Sequence, residues 1–447
     1  MPEGVDGDVV AIAGAGLSGL AAARKLHDAG TRVVVLEARD RVGGRSYTVP
    51  FGGTPVDVGG QWIGPTQDRA IALARELGVA TFPQHHVGRR LLELDGKVKE
   101  YRGTIPKIPI LHSIEAGITL ARIELLTRRV SAEEPWKGAE WDRQSLADWI
   151  DGHVRTSSAK KLLGIGTNMI FGAEPRDISF LFFLFYLRAG GGFTRLAEVR
   201  NGAQQDRFVG GAQELSRRLA AKLGDTVQLG FPVRRVEQDA EGVTLAGPAG
   251  SVRARRAILA LAPAMLDKIA FAPDLPAERQ DLHRSMPMGS AMKCIVAYDR
   301  AFWRERGLTG EALSDVGPCR AFFDDCAADG SHPALLGFVT ADAAKELGRR
   351  PADERRAAVT AQLVRIFGPD AARPADYLDH DWTREEWSGG CYVGLMAPGT
   401  MTRVGRALRA PVGRLHFAGT ETATRWVGYF DGAIEAGERA AAEVLEA

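Results

Sequence analysis

A lysine inside an apolar run and a thiol among glycines are the residues of this chain best placed to do chemistry. Lys293 sits in AMKCIV, where an ammonium is costly to bury unless it has a partner or a task. An edge-strand lysine reaching for solvent is the bland alternative. Cys391 sits in WSGGCY, between Gly389-Gly390 and Tyr392. Side chains that small let a bulky group approach the backbone, and a thiolate is a nucleophile. A free cysteine is also a common buried hydrophobe, so the local spacing leaves both readings open.

The N-terminal stretch supplies a candidate for the bulky group. DVVAIA from Asp8 has strand character, GAGLSGLAAARKLHDAG carries apolar residues at helical spacing up to Gly30, and TRVVVLE is a second strand. Gly14, Gly16 and Gly19 fit G-x-G-x-x-G at the strand-to-helix turn. The first permits the turn, the second lets backbone approach a pyrophosphate, and the third packs helix on strand. The phosphates would rest on the open N–H groups of the helix start. Glu37 ends the second strand, where a carboxylate can accept bonds from ribose hydroxyls. ARDRVGGRS then adds Arg39, Gly43, Gly44 and Arg45, a second glycine pair flanked by guanidinium groups suited to phosphate. Nicotinamide dehydrogenases do not need that second loop, which points to FAD.

The elements that must position these groups recur along the chain. TPVDVGGQWIG sets Gly60, Gln61 and Trp62 after a short strand. Residues 79 to 208 read as mostly helical, and FLFFLFYL within them as a core helix or a cavity wall. Val233, in FPVRRVEQ, lies on a strand where it could cover an adenine or simply fill a core. Nucleotide-type segments appear three times, separated by two insertions. The expected fold is α/β: a discontinuous Rossmann-like FAD-binding domain (1–78, 209–282 and 385–447) with a mixed α+β substrate domain (79–208 and 283–384) threaded through it.

Composition narrows the functions. The 447 residues carry a net charge of +1 with 25% charged residues, so no basic excess points to nucleic acid. The longest wholly apolar run, FLFFLFYL, is far shorter than the roughly 20 residues a membrane span needs. The start, MPEGVDGDVV, is acidic rather than basic-then-apolar, unlike an export signal. Cys294, Cys319, Cys326 and Cys391 form no CxxC pair, which suits a reduced cytoplasm. The histidines show no ligand spacing, and no metal site is expected.

Taken together, GAGLSGL, VVVLEARDRVGGRSYT, DVGG..IGPTQ, NGAQQDRFVGG, PMGSAMKCIVAYDRAFW, WSGGCY and HFAGTETAT..VGY..GAIEAGERAA resemble the flavin-dependent amine oxidases, and within them the monoamine oxidases. The resemblance runs nearly end to end. It implies that Cys391 forms a thioether to the 8α-methyl of the flavin. It makes Tyr392 and Tyr429 the paired rings that sandwich the amine, whose nitrogen electron-rich ring faces favour. Lys293 matches a lysine that holds a water near flavin N5. Thr420 and Glu421 lie in the loop that binds flavin diphosphate and ribityl groups, and Ser18, Trp382, Gly428 and Ala433 join the cofactor contacts. Met169, Ile170, Ala197, Gln204, Ala321 and Phe322 match positions lining or gating the substrate cavity.

The implied reaction is oxidative deamination. A neutral primary monoamine with an aromatic or apolar body loses a hydride equivalent to flavin, the imine hydrolyses to aldehyde and ammonia, and dioxygen becomes hydrogen peroxide. The partners are then a small amine and dioxygen, with no nucleic acid and no membrane anchor, and with room for a homodimer. Gln61-Trp62 departs from the smaller polar residue and tyrosine of mammalian members. Relatives specific for diamines place a carboxylate in the cavity; here Glu174, Asp324 and Asp325 are expected beside it rather than in it. Polyamine, nicotine-type and L-amino acid oxidases on the same fold remain open, as does a flavoprotein that acts on no amine.

Overall fold

The computed structural model describes residues 9–103, 106 and 108–447; Met1–Asp8, on which the expectation of no export signal rests, lies outside them. A five-stranded parallel sheet runs in the order Val227–Gln228, Arg32–Leu36, Val9–Ala13, Arg256–Leu259, Leu415–Phe417. Its central strands are short, and Val9–Ala13 and residues 33–36 and 257–259 are apolar and buried on both faces, as parallel strands covered by helices must be. Helix Leu17–Asp28 follows the first strand and buries Leu20, Ala21, Ala23 and Leu26. The closing helix Phe430–Glu446 lies against it at Gly437, where a Cβ would come within 2.0 Å of the Ser18 carbonyl oxygen. A four-stranded sheet, Gly250–Ala254, Val243–Gly247, Arg235–Gln238 and Ala270–Ala272, flanks this unit. The fold is thus α/β with a Rossmann-like core.

The second large sheet has seven strands, ordered Asp376–Asp381, Ala291–Ala297, Ala334–Thr340, Cys319–Asp324, Leu308–Ser314, Arg89–Leu94, Lys97–Tyr101. Strand period sorts its side chains. Met292, Cys294 and Val296 join one core with Trp303, Phe322 and Phe367. Ala321, Phe323, Ile295 and Phe338 join another on the opposite face, the face that Lys293 shares by alternation.

Two expectations are refined. Residues 79–208 are less purely helical than their pattern suggests: Arg89–Leu94 and Lys97–Tyr101 form a hairpin around Asp95-Gly96, both at positive φ (53° and 73°), the two-residue turn that Asp-Gly favours. The stretch FLFFLFYL is the buried helix Phe180–Gly190, capped by Ser179, whose Oγ accepts the Phe182 N–H at 2.9 Å. It is core along its length, and only Tyr186 reaches the cavity described next.

Candidate active site

Lys293, Cys391, Tyr392 and Tyr429 line one cavity of about 430 Å3. The same cavity is lined by Gly14, Gly16, Ser18, Glu37, Arg39, Gly43, Gly44, Arg45, Gly60, Gln61, Trp62, Val233, Trp382, Thr420, Gly428 and Ala433, and by Met169, Ile170, Ala197 and Gln204. Residues scattered over the whole chain therefore share one cavity. Four do not reach it. Gly19 packs against the turn, with a Cβ placed only 1.9 Å from the Gly14 carbonyl oxygen. Glu421 is fully buried beneath Arg45. Ala321 lies within the sheet's apolar layer. Phe322 points to the opposite face, against Phe367 at 6.1 Å between ring centroids; strand alternation gives the cavity position to Phe323 instead.

The glycine turn is built as a cradle. Gly14 has φ +100°, and its N–H donates to the Leu36 carbonyl at 2.8 Å. Glu37 Oε2 accepts the Ala15 N–H at 2.7 Å, and its Oε1 accepts the Arg39 N–H at 3.0 Å. A Cβ on Gly16 would meet nothing within 4 Å, so this residue opens onto the cavity. Gly16 also caps helix Leu17–Asp28 with no side-chain acceptor, leaving the first N–H groups for an anion. Ser18 Oγ accepts the Gly419 N–H at 2.9 Å, and Thr420 Oγ1 accepts that of Gly428 at 2.7 Å, binding the closing loop to the turn. These groups fit a dinucleotide.

The two arginines expected to meet phosphate both line the cavity, and both also hold protein partners. Arg45 makes a bidentate pair with Glu421 at 2.6 and 3.1 Å and donates to the Tyr392 carbonyl at 2.8 Å. Arg39 donates to Glu385 at 3.1 Å and to Ser388 Oγ at 2.8 Å. Carboxylates distant in sequence claim both guanidinium groups, which tie the N-terminal loop to the WSGGCY segment.

Lys293 is buried with all three of its donors used. Its Nζ donates to the carbonyls of Asp57 and Gly59, each at 2.7 Å, and to Gln61 Oε1. Gln61 in turn donates to Asp325 Oδ1 at 3.2 Å, which pairs with Arg207 at 2.9 Å. Burial lowers the lysine to about 8, and Asp325 and Asp57 pull it back up. The Cys391 thiol is pushed up to about 12 by burial, against the pull of Arg45 and Lys293; it is a thiol, not a thiolate, until its surroundings change. A Cβ on Gly390 would lie 2.3 Å from the Gly289 carbonyl oxygen, so tight packing on the far side holds this segment in place. Tyr392 packs edge-on to Phe338 and leaves its buried hydroxyl without a partner. Tyr429 leans on Trp426 at 5.0 Å.

Sequence reasoning missed a polar patch of the same wall: Arg90, Tyr101, Glu198 and Glu311 all line the cavity. Glu174, Asp324 and Asp325 stay outside the lining as expected, but the cavity is not free of carboxylates. Burial raises Glu311 to about 7; Arg90 opposes the rise and Glu198 adds to it.

A dinucleotide cradle opening into a cavity with a lysine and two tyrosines fits a flavoenzyme-type oxidoreductase. The comparisons are more specific. The model of the flavin containing amine oxidoreductases matches residues 17–445, and the chain belongs to that family. It is 43% identical over 438 residues to AofH of Mycobacterium tuberculosis, covering 97% of this chain and 96% of that one. It is 39% identical to Homo sapiens amine oxidase [flavin-containing] B, covering 98% of this chain and 86% of the human protein. Among solved structures, cyclohexylamine oxidase from Brevibacterium oxydans superposes with TM-score 0.94 at 35% identity, covering 99% of each chain.

Proposed function

We propose that this chain is an FAD-dependent oxidase of primary monoamines with an aromatic or apolar body, releasing aldehyde, ammonia and hydrogen peroxide. The observation that carries the proposal is the single cavity joining the glycine cradle to Lys293, Tyr392 and Tyr429. Bound there, the flavin supplies the acceptor for a hydride equivalent and its return to dioxygen. The protein's part is to orient and to keep the pocket dry. The faces of Tyr392 and Tyr429 guide the amine nitrogen. Gln204 Oε1, which has no partner while its amide donates to the Leu196 carbonyl at 2.9 Å, is free to accept an amine N–H. Apolar wall residues such as Ile170, Phe323 and Phe338 take up the body, at about 25 cal/mol for each Å2 buried. Lys293 fixes the loop that carries Gly60, Gln61 and Trp62 through its three bonds and stands at the reacting end.

The division into a cofactor unit (1–78, 209–282, 385–447) and a substrate unit (79–208, 283–384) is part of this reading, and the membership of the two large sheets supports it. Cys391 is assigned as the covalent anchor, an 8α-thioether, because it lines the cavity next to Tyr392. A cytoplasmic setting is supported by four free, buried cysteines. Among the described residues no helix is long and apolar enough to cross a membrane. The test is a panel of phenylethylamine, butylamine, an L-amino acid and nicotine under air. Peroxide from the first two supports the assignment; peroxide only from the amino acid or nicotine defeats it.

A further inference from the structure

We infer that Asp325, which lies outside the cavity lining, is a positioning residue for Lys293: through Gln61 it fixes which carboxamide end the ammonium meets, and it supplies the counter-charge behind that amide. This rests on the amine oxidase reading above and concerns the reacting end of its site.

Four separate stretches of chain meet at this point. Lys293 stands on strand Ala291–Ala297, and Gln61 directly precedes strand Trp62–Ile63. Arg207 lies opposite Trp62 on strand Asp206–Phe208. Asp325 follows strand Cys319–Asp324, and its N–H donates to the Ala334 carbonyl at 2.8 Å. Gln61 and Asp325 are each 1% exposed, Lys293 4% and Arg207 6%. Groups this deeply buried must find their hydrogen-bond partners inside the protein.

The row of bonds has a direction. An ammonium only donates, an ionised carboxylate only accepts, and a carboxamide offers one end of each kind. Gln61 therefore shows its oxygen to Lys293 and its Nε2 to Asp325 Oδ1, the latter at 3.2 Å. The same Oδ1 lies 2.9 Å from Arg207 Nη2, and Arg207 Nη1 donates to the Cys326 carbonyl at 2.9 Å. Arg207 thus holds the carboxylate in place. With an uncharged amide at 325, Gln61 could turn and set its NH2 against the ammonium. Lys293 would then keep the Asp57 and Gly59 carbonyls and lose its third acceptor.

The charges around Lys293 agree with this geometry. Burial draws the lysine down to about 8; Asp325, then Asp57, and more weakly Cys391 hold it up, while Arg207 pushes it down. The Asp57 carboxylate is taken by Thr48 Oγ1 at 2.5 Å and by the Ala212 N–H at 3.0 Å. Of the two carboxylates, Asp325 is therefore the one joined to the ammonium through hydrogen-bonded side chains. His380 sits opposite Lys293 on the neighbouring strand, but its Nε2 lies 3.3 Å from Glu385.

The test reads the midpoint potential of the bound flavin against pH, together with the pH profile of flavin reduction by amine. Lys293 should give an inflection near pH 8 that Lys293→Met removes. Asp325→Asn should move the inflection down by about one unit or more, as loss of a neighbouring counter-charge does. Gln61→Met should move it the same way; it leaves the Arg207 pair intact and decides the matter if Asp325→Asn does not fold. In the Gln61→Met background, Asp325→Asn should shift the inflection less than it does alone, because the two residues act in one row. An inflection unmoved by Gln61→Met overturns the inference. So does an Asp325→Asn shift undiminished in that background, which would make Asp325 a distant charge, and so does an inflection that survives Lys293→Met. Flavin that titrates as expected yet is bleached by no amine defeats the amine oxidase reading instead.

Discussion

Arg45 clasps Glu421 through two hydrogen bonds, of 2.6 and 3.1 Å, across 376 residues of chain. The carboxylate is fully buried, and the third contact of Arg45 is the Tyr392 carbonyl. The pair therefore fastens the second glycine loop to both the WSGGCY segment and the loop before the last helix. Glu421→Gln leaves the guanidinium without its counter-charge, at a cost of about 3 kcal/mol. Urea unfolding of the flavin-loaded protein should show that loss, together with looser FAD in equilibrium dialysis. An unchanged midpoint would make the pair ornamental.

Lys293→Met removes the ammonium that holds the Asp57 and Gly59 carbonyls and Gln61. Rapid mixing should show flavin reduction or reoxidation slowed about 100-fold, the scale of a positioned polar group's contribution. The absorbance of bound flavin should persist. Equal rates in both half-reactions would reduce the lysine to a structural brace.

Some of this site can be read from the sequence because it is dictated locally. Gly14, Gly16, Gly19 and Glu37 stand within one strand, turn, helix and strand, where the φ of Gly14 and the close packing of Gly19 demand glycine. Phe322 and Phe323 illustrate the opposite case. They differ by one residue, the strand period assigns them to opposite faces, and the sequence carries no mark of which face meets the cavity. Glu311 was invisible for a related reason: a slip in register beside Gly310 turns it into the cavity wall, and such a slip has no local signal beyond the glycine. The protein partners of the two arginines, Glu421, Glu385 and Ser388, could not be read locally because they lie more than 340 residues away. The hairpin at Asp95-Gly96 did carry a signal, hidden among the longer helical patterns around it.

Cys391 supplies a prediction that needs no activity. Acid precipitation of the purified protein should leave the yellow colour in the pellet, and intact mass should include the flavin. Cys391→Ala should bind FAD reversibly. Colour released to the supernatant by the unaltered protein contradicts the thioether.

Glu311 gives stability a dependence on pH. Its carboxyl is raised from 4.5 to about 7 in the folded protein, so between those values the folded state holds a proton that the unfolded state has lost. Stability from this group falls as pH rises through that window and levels off above about 7. Glu311→Gln removes the effect. The variant should gain on the unaltered protein by up to about 3 kcal/mol between pH 5 and pH 8. A difference between the two that does not change over that range would show that the carboxyl titrates normally.

The account stands or falls on whether amines deliver electrons to the flavin of this protein. The most direct measurement is anaerobic mixing of the purified yellow protein with phenylethylamine and butylamine, followed by air. Amine addition should bleach the oxidised flavin band, and air should restore it with one peroxide and one aldehyde formed per flavin. A band left unbleached by every amine in the panel, in protein whose flavin dithionite still reduces, would contradict the assignment.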